Sequence, residues 1–302
     1  MGLPEHSVRQ SAAVARRVLV AGAGGVLGRH VVRQLIARGE RVLALVRRSR
    51  SAAAVQALGA ECRVLDALAP EALRGIGDGV DAIVSCLGAP VTPSPFVGRR
   101  PYTRVDAPAN ISLADEAVRA GVSNFTYVAL AGGRACRTLN YADAHERVVD
   151  HLEKLPIAAC IVRPTGFFGA MAELVSMARW GVLPIFGDGA ALTNPVHEAD
   201  VAAVIVQSLD RAESSMIEVG GPDTFSRKAI GKLAFEAIGR RARFVHVPPK
   251  LARCGAMMLA AINPRAGHFV RFATHVMTTP CIAPCVGSQR LADYFHEYAR
   301  KG

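Results

Sequence analysis

The 302-residue sequence is poor in aromatic residues and in negative charge. Aromatic residues make up 6% of the chain, and 25 acidic residues face 36 basic ones, for a net charge of +11. No apolar stretch reaches the roughly 18 residues needed to cross a bilayer, so no transmembrane helix is predicted. The basic segments lack the interleaved aromatic residues on which bases stack, so we expect no nucleic-acid partner.

The first residues, MGLPEHSVRQSAAVARR, lack the long apolar core and the cleavage pattern of a secretion signal. Met1 and Gly2 begin like a myristoylation motif, but His6 stands where that motif has Ser or Thr. We therefore expect residues 1–15 to form a flexible tail and the protein to be cytoplasmic.

The cysteines show no pattern typical of disulfides or of metal sites. Their number is odd, and most lie in apolar segments, where a reducing compartment would leave them as small core residues. Only Cys281 and Cys285 lie close together, and no second pair has metal-site spacing, so no metal is expected. The seven positions are Cys62, Cys86, Cys136, Cys160, Cys254, Cys281 and Cys285.

Glycines, by contrast, are concentrated in VLVAGAGGVLGRHVV, residues 18–32. A short β-branched run precedes them, and apolar residues at helical spacing follow, which predicts a strand, a turn and a helix. Such a turn directs backbone N–H groups and the positive end of a helix dipole at one point, where a pyrophosphate fits. The expected cofactor contacts in this turn are Gly22, Gly24, Gly25, Val26, Leu27 and Gly28.

The rest of the chain alternates predicted strands and helices, which indicates an α/β fold of the Rossmann type with a doubly wound parallel sheet. We expect residues 16–170 to form the nucleotide-binding domain. Residues 171–302 would form a smaller, mostly helical substrate lobe, with 193–220 returning to the first domain. The predicted strands are 18–21, 41–48, 62–65, 81–88, 125–133 and 158–169.

Two arginines follow the second predicted strand, where dinucleotide-binding folds that prefer NAD place an acidic residue. Arg47 and Arg48 could form paired hydrogen bonds to a 2′-phosphate, which a carboxylate would repel. The sequence therefore favours NADP(H) over NAD(H). The alternative interpretation is a solvated arginine pair in an arginine-rich chain.

These motifs together resemble the short-chain dehydrogenase/reductase superfamily, and within it the atypical, NmrA-like branch. The segments that carry the resemblance are VLVAGAGGVLG, LALVRR, VSCLG, GVSNFTYVALAGG, IVRPTGFFG, TNPVHEADVA and GGPDTFSRKAIGKLAFEAIG. The resemblance implies that Asp66 and Ala67 lie near the adenine, and that Cys86, Leu87 and Gly88 line the ribose side. It also implies that Pro164, Thr165, Gly166 and Phe167 lie over the nicotinamide.

The catalytic pattern of the superfamily is incomplete in this chain. Active members have a Ser after the fifth strand and a Tyr followed four residues later by a Lys. Here Ala129 stands at the Ser position, Tyr141 at the Tyr position and His145 at the Lys position. A neutral imidazole would acidify a tyrosine poorly. Tyr141 and His145 are the candidate catalytic residues; the alternative roles are a helix start and a polar helix flank.

Apolar residues after the sixth strand predict a substrate pocket, with Phe168, Met171 and Trp180 in its wall. The alternative is that they belong to the core. Residues 225–275 contain ten basic residues and the single acid Glu236. A basic, apolar segment of this kind could contact a membrane surface or an acidic partner.

Two functions agree with this sequence. The first is an NADP(H)-dependent oxidoreductase, a reductase of a small and rather apolar substrate. The second is a non-catalytic NADP(H)-binding redox sensor or assembly factor of the NmrA-like type. The retained Tyr141 favours the first, and Ala129 and His145 favour the second. The sequence leaves the substrate, the direction of reaction and the oligomeric state open.

Overall fold

Short apolar segments form a parallel sheet that organises the molecule. The structure is a computed structural model that describes residues 15–89, 91 and 100–301. The strands are β1 (Arg17–Ala21), β2 (Arg41–Val46), β3 (Glu61–Val64), β4 (Ala82–Ser85), β5 (Asn124–Val128), β6 (Ala158–Pro164), β7 (Leu183–Phe186), β8 (Leu192–Thr193), β9 (Ser215–Val219), β10 (Phe225–Ser226) and β11 (Phe244–Val247).

The helices cover both faces of this sheet and build a second layer beyond its carboxyl edge. They are α1 (Val26–Ala37), α2 (Ser49–Gln56), α3 (Pro70–Leu73), α4 (Asp106–Arg119), α5 (Asn140–Leu152), α6 (Phe168–Ala178), α7 (Glu198–Ser208), α8 (Arg227–Ala237), α9 (Pro249–Ile262), α10 (Pro264–Thr278) and α11 (Leu291–Lys301). Short 3₁₀ turns span Tyr102–Arg104 and Gly133–Cys136.

Seven strands pair in parallel in the order β3-β2-β1-β4-β5-β6-β9. Successive side chains point to opposite faces of a strand. In β1, Val18 and Val20 therefore pack toward α1 and α7, while Leu19 and Ala21 pack toward α4 and α5. Both faces are buried, which explains the continuous apolar runs of the sequence. The predicted Rossmann-type fold is confirmed.

Several strands end earlier than the sequence predicts. The second ends at Val46, the fourth at Ser85 and the sixth at Pro164. After the fourth and sixth strands the next residues are partly apolar, so the hydrophobic pattern continues where hydrogen bonding to the neighbouring strands has stopped; after the second strand the next residues are Arg47 and Arg48. These loop residues form the carboxyl edge of the sheet, where parallel α/β folds bind ligands.

The region after β6 contributes both to the sheet and to a separate core. α7 packs against α1, and β9 pairs with β6. A second apolar cluster joins α6, α8 and α11 around Phe168, Phe235 and Phe295. β7 and β11 form a small parallel pair next to it, and β8 and β10 an antiparallel one. The domain boundaries themselves stay a prediction.

Two sequence predictions concern the N-terminal tail and membrane-spanning helices. The predicted tail of residues 1–15 lies outside the described residues except for Ala15. Within the described residues, none of the helices has the length and apolar character needed to cross a bilayer.

A buried ion pair ties α5 to the sheet beside the carboxyl edge. The guanidinium of Arg163 on β6 donates to both oxygens of Glu146, at 2.5 and 3.1 Å, and to the carbonyl oxygen of Leu130 at 3.0 Å. Both side chains are almost inaccessible to solvent. A Cβ at Gly133 would lie 2.3 Å from a Glu146 oxygen, so the loop after β5 fits over the pair only with glycine there.

We expect Glu146→Ala to lower the free energy of unfolding by about 3–5 kcal/mol, because it leaves the Arg163 guanidinium buried without its counterion. Urea unfolding followed by circular dichroism measures the loss. Asp143→Ala is the matched control: it removes the Arg147 ion pair on the outer face of the same helix, which is worth about 0.5 kcal/mol or less. Equal losses in the two variants would contradict a structural role for the buried pair.

Candidate functional site

The glycine-rich turn joins β1 to α1 at the centre of the carboxyl edge. Gly22 has φ +78°, and a Cβ there would lie 2.6 Å from the carbonyl oxygen of Cys86. A Cβ at Gly28 would lie 2.3 Å from the carbonyl oxygen of Gly22. Glycine at these two positions therefore lets β4 and the first turn of α1 approach β1 closely.

Gly25 plays a different part in the turn. It precedes the first residue of α1 and has φ −73°, a conformation open to any residue. Its missing side chain instead leaves space in front of the N-terminus of α1, where an anion is favoured by free N–H groups and by the helix dipole.

A cleft of about 890 Å³ lies in front of this turn, within the range typical of cofactor and small-molecule sites, roughly 300–1,000 Å³. It runs across the ends of β1, β2, β3 and β4 to the start of α4. Ten predicted cofactor residues line it together: Gly22, Gly24, Gly25, Arg47, Arg48, Asp66, Ala67, Cys86, Leu87 and Gly88.

The cleft also has lining residues that the sequence did not predict. Ser51 comes from α2, Asp106 and Ala109 from α4, Arg100 from just before the 3₁₀ turn, and Arg265 from α10. No motif marks these positions, and Arg265 lies far along the chain from the glycine turn. Only the folded structure brings them to the site.

One end of the cleft is positively charged. Arg47 and Arg48 directly follow β2, and both are exposed. Among the described residues, no carboxylate forms an ion pair with either guanidinium, so both are available to an anionic ligand. Asp66 shares this end of the cleft, and its carboxylate accepts a hydrogen bond from the Leu68 N–H at 3.1 Å, which orients it.

A buried carboxyl group lies at the other end. Asp106 is 3% exposed and accepts a hydrogen bond from the Ala89 N–H at 2.8 Å, while its second oxygen has no partner among the described residues. Burial raises the pKa of Asp106 to about 6, although the Ala89 N–H and the charge of Arg265 act to lower it. The Arg265 guanidinium lies 4.8 Å from the centre of the Tyr102 ring.

Tyr141 lies in the first turn of α5, surrounded by aromatic rings. The ring centres of Tyr102, Phe272 and His145 are 5.0, 4.7 and 4.8 Å from its own. Burial, followed by the negative charge of Asp106, raises the pKa of Tyr141 well above its usual value. The hydroxyl is therefore protonated at neutral pH, and Tyr141 is not among the residues that line the cleft.

His145 is also buried, 4% exposed, and does not reach the cleft. Its Nδ1 lies 2.7 Å from the hydroxyl oxygen of Tyr127, and its Nε2 has no partner among the described residues. Burial, aided by the charge of Arg163, lowers the pKa of His145 to about 4. The imidazole is neutral at pH 7, so no positive charge stands where the superfamily has its lysine. Ala129 is buried in the core beneath.

Several predicted contacts do not line this cleft. Val26, Leu27 and Gly28 form the first turn of α1. Pro164, Thr165 and Phe167 lie at the end of β6, where the Thr165 hydroxyl donates to the carbonyl oxygen of Asn194 at 2.6 Å. Their predicted place over a nicotinamide stays a prediction, because no cofactor is present to test it.

The structure does not bring the predicted substrate pocket together. Phe168 is 1% exposed and packs in the core of α6, α8 and α11, with Met171 against the same cluster. Trp180 is 82% exposed just beyond the end of α6. The apolar pattern of this segment reflects helix packing and one surface residue instead of a pocket wall.

Comparison with known proteins agrees with this geometry. A family model described as NAD(P)H-binding matches residues 22–212, more than half of the chain. The match includes the glycine turn, both arginines, Asp106 and α5. The predicted NAD(P)-binding family is therefore confirmed.

Curated relatives have diverse names and low identity. A mitochondrial protein of Arabidopsis thaliana named NADH dehydrogenase [ubiquinone] 1 alpha subcomplex subunit 9 is 28% identical over 258 residues, which cover 78% of this chain and 61% of that protein. A chloroplastic divinyl chlorophyllide a 8-vinyl-reductase of Oryza sativa is 27% identical, with 94% and 79% covered. The chain thus spans about three fifths of the first relative.

Among solved structures, an NADPH-dependent quinone oxidoreductase from Escherichia coli, complexed with NADPH, superposes with a TM-score of 0.70. The superposition covers 93% of this chain and 99% of that one, at 19% identity. At this identity the likeness concerns the fold.

The buried carboxyl group predicts a pH-dependent stability. Because folding raises the pKa of Asp106 from its ordinary 3.8 to about 6, its ionisation opposes folding as the pH rises through this interval. Asp106→Asn keeps an acceptor for the Ala89 N–H and cannot ionise. We expect the wild type to lose stability relative to this variant between about pH 4 and pH 6, by up to about 3 kcal/mol.

Urea unfolding of both proteins across this pH range measures the difference. Asp293→Asn, at an exposed position of α11, is the matched control and is expected to follow the wild type. Parallel profiles for wild type and Asp106→Asn would show that the Asp106 carboxyl group is not held in the unfavourable environment described above.

Proposed function

Because this chain belongs to the NAD(P)H-binding family, we propose that it is an NADP(H)-dependent reductase of a small, rather apolar molecule. The observation that carries the proposal is one cleft with the glycine turn at its centre, a buried carboxyl group at one end and, at the other, two arginines that form no ion pair among the described residues. The rice relative that it resembles is named as a reductase.

The choice of NADP(H) rests on Arg47 and Arg48. A guanidinium can form two parallel hydrogen bonds to a phosphate, and charge-assisted bonds of this kind are about twice as strong as neutral ones. The 2′-phosphate distinguishes NADP from NAD, and in the expected orientation it would lie beside the residues that follow β2. Asp66 would then face the adenine side.

The protein would supply binding and orientation, while the bound cofactor supplies the hydride. The N-terminus of α1 would hold the pyrophosphate. Cys86, Leu87 and Gly88 would form the wall beside the cofactor's ribose. Burial raises the pKa of Cys86 to about 12, so its thiol stays neutral and does not compete as a nucleophile or repel phosphate.

The proton that accompanies the hydride would come from Tyr141. Its raised pKa keeps the hydroxyl protonated, and three rings pack around the Tyr141 ring. Since His145 is neutral and bonded to Tyr127, it does not supply the positive charge that would stabilise a tyrosinate. Tyr141 would therefore be a weak acid. It would suit an acceptor that becomes a strong base when it receives a hydride, such as a carbonyl or an activated double bond.

A second function has its own supporting observation. Ala129 and the neutral, buried His145 leave Tyr141 as the single predicted catalytic residue with an ionisable hydroxyl. A protein that only senses or carries NADP(H) needs no more than the cleft. The Arabidopsis relative is named as a subunit of a complex, which accords with a non-catalytic role.

The cofactor proposal predicts tighter binding of NADPH than of NADH. In Arg47→Ala with Arg48→Ala we expect NADPH affinity to fall about 10- to 100-fold, because charge-assisted bonds to the 2′-phosphate are lost, while NADH affinity changes little. Isothermal titration calorimetry at fixed salt measures both. Arg50→Ala, which removes an exposed arginine outside the cleft lining, is the control. Equal wild-type affinities for the two cofactors would refute the preference.

The proton-donor proposal predicts that Tyr141→Phe keeps the ring packing and NADPH affinity but lowers kcat by about 10²- to 10⁴-fold. The assay follows NADPH oxidation with a panel of carbonyls, enones and quinones. Tyr298→Phe is the control, because it removes a hydroxyl bonded to Ser176 on the far side of the second lobe.

The outcomes separate the two functions. Unchanged turnover in Tyr141→Phe would eliminate Tyr141 as the donor and leave the reductase intact. Tight NADPH binding by the wild type with no turnover on any member of the panel would contradict the reductase and favour the sensor.

A further inference from the structure

α9 has the reverse of the usual arrangement of a surface helix. Its buried face consists of small residues, Ala252 and Ala256, which pack against α10. Four of its five large apolar side chains point outward: Leu251, Met257, Met258 and Ile262 are 64, 62, 75 and 71% exposed, while Leu259 is half-buried. We call the four exposed residues the α9 stripe.

The close packing of α9 on α10 explains this orientation. A Cβ at Gly267 on α10 would lie 2.5 Å from the Cβ of Ala260 and 2.6 Å from the carbonyl oxygen of Ala256. The two helices are therefore in backbone contact at this point, and no room for a larger side chain exists between them. The large residues of α9 cannot turn inward, so the α9 stripe is a fixed feature of the surface.

The charged residues of the α9 and α10 helices themselves are all basic. Lys250 and Arg253 are exposed on α9 itself, and Arg271 is exposed on α10. The sequence contains no acidic residue between Glu236 and Asp293. All 25 acidic residues of the chain lie outside this stretch, so its charged residues are all basic.

From these observations we propose that α9 lies on an anionic lipid surface, with the α9 stripe inserted among the acyl chains and Lys250 and Arg253 at the headgroups. Helices that bind in the plane of a membrane combine an apolar face with basic residues. Since α9 has 14 residues, it is too short to cross a bilayer.

A lipid surface fits this face better than an acidic protein does. Protein interfaces surround their apolar centre with polar groups that pair across it. Between residues 249 and 262 the only polar side chains are Lys250, Arg253 and the Cys254 thiol, and the chain offers no carboxylate, amide or hydroxyl there. The face therefore has cations and apolar groups, which are what an anionic bilayer requires.

The pair of helices α9 and α10 also contributes to the cleft. α10 places Arg265 in the cleft lining and Phe272 against Tyr141. Binding through α9 would hold this wall of the site next to the bilayer, so the apolar substrate would be one drawn from the lipid phase. This consequence rests on the proposed function; the binding itself does not.

Cosedimentation of the full chain with vesicles tests the binding. We expect binding to vesicles of phosphatidylcholine mixed with phosphatidylglycerol, weaker binding to phosphatidylcholine alone, and a decrease as salt screens the charges. Leu251→Ser with Met258→Ser should lower the partition coefficient at least about tenfold, because it removes two inserted side chains. Val64→Ser with Met216→Ser removes exposed apolar residues on β3 and β9 and should bind as the wild type does.

The charge contribution is tested in the same assay. Lys250→Glu with Arg253→Glu should abolish the preference for the anionic vesicles. Arg50→Glu with Arg74→Glu makes the same change in net charge at exposed positions away from α9 and should leave the preference in place. Loss of the preference in both variants would mean that net charge alone governs binding, and would overturn the assignment to α9.

A fluorescent reporter locates the contact. The chain has one tryptophan, Trp180, so Trp180→Phe with Met258→Trp places a single indole in the α9 stripe. Its emission should shift to shorter wavelength with anionic vesicles, whereas Trp180→Phe with Met216→Trp should show no shift. The reverse pattern would contradict the proposal.

Two results would overturn the proposal outright. One is failure of the wild type to bind either kind of vesicle. The other is a dimer, seen by analytical ultracentrifugation without lipid, that Leu251→Ser with Met258→Ser converts to a monomer while vesicle binding is absent; a second copy of the chain would then cover the stripe. Because no arm of the test uses NADPH or turnover, failure here is distinguishable from failure of the reductase proposal.

Discussion

The close approach of the first strand, the first helix and the fourth strand at Gly22 is the constraint on which the site depends. The backbone there has positive φ, and the carbonyl of Cys86 leaves no space for a side chain at Gly22, while a side chain at Gly28 in the first turn of α1 would meet the Gly22 carbonyl. This contact sets both the direction of the α1 N-terminus and the position of the loop after β4. The cleft is the space that these two elements leave between them, so its shape is a consequence of backbone packing more than of side-chain choice.

Charge is distributed along the cleft in a way that suits an extended anionic ligand. The guanidinium groups of Arg47 and Arg48 occupy one end, helix N–H groups the centre, and a carboxyl group held at a raised pKa the other. A charged Asp106 would repel a phosphate, and its place at the far end keeps it from the region where phosphates are expected. The buried pair of Glu146 and Arg163 lies behind this end and fixes α5, which carries Tyr141, on the sheet.

The sequence predicted the parts of the site that are local in the chain and missed those that are not. Gly22, Arg47 and Cys86 each follow a strand, and strand ends meet at one edge of a parallel sheet, so periodicity and turn chemistry suffice to place them. Arg265 enters from α10 through tertiary packing that no local pattern encodes. The pattern could not place the substrate pocket predicted at Phe168, Met171 and Trp180 for a related reason, because an apolar residue at helical spacing has the same signature in a core, on a surface and in a binding site.

The surroundings of Tyr141 limit what chemistry the site can perform. In a site with a lysine four residues on, a positive charge lowers the pKa of the tyrosine and makes proton transfer easier. Here the corresponding side chain is a neutral imidazole, and its hydrogen bond goes to Tyr127 in the sheet instead of toward the cleft. If Tyr141 donates a proton as we propose, the transfer would have to be driven by the basicity that the substrate acquires on receiving a hydride. An acceptor that becomes a strong base, such as an alkoxide or a carbanion, meets that condition, and one that forms a stabilised, weakly basic anion has no need of the tyrosine.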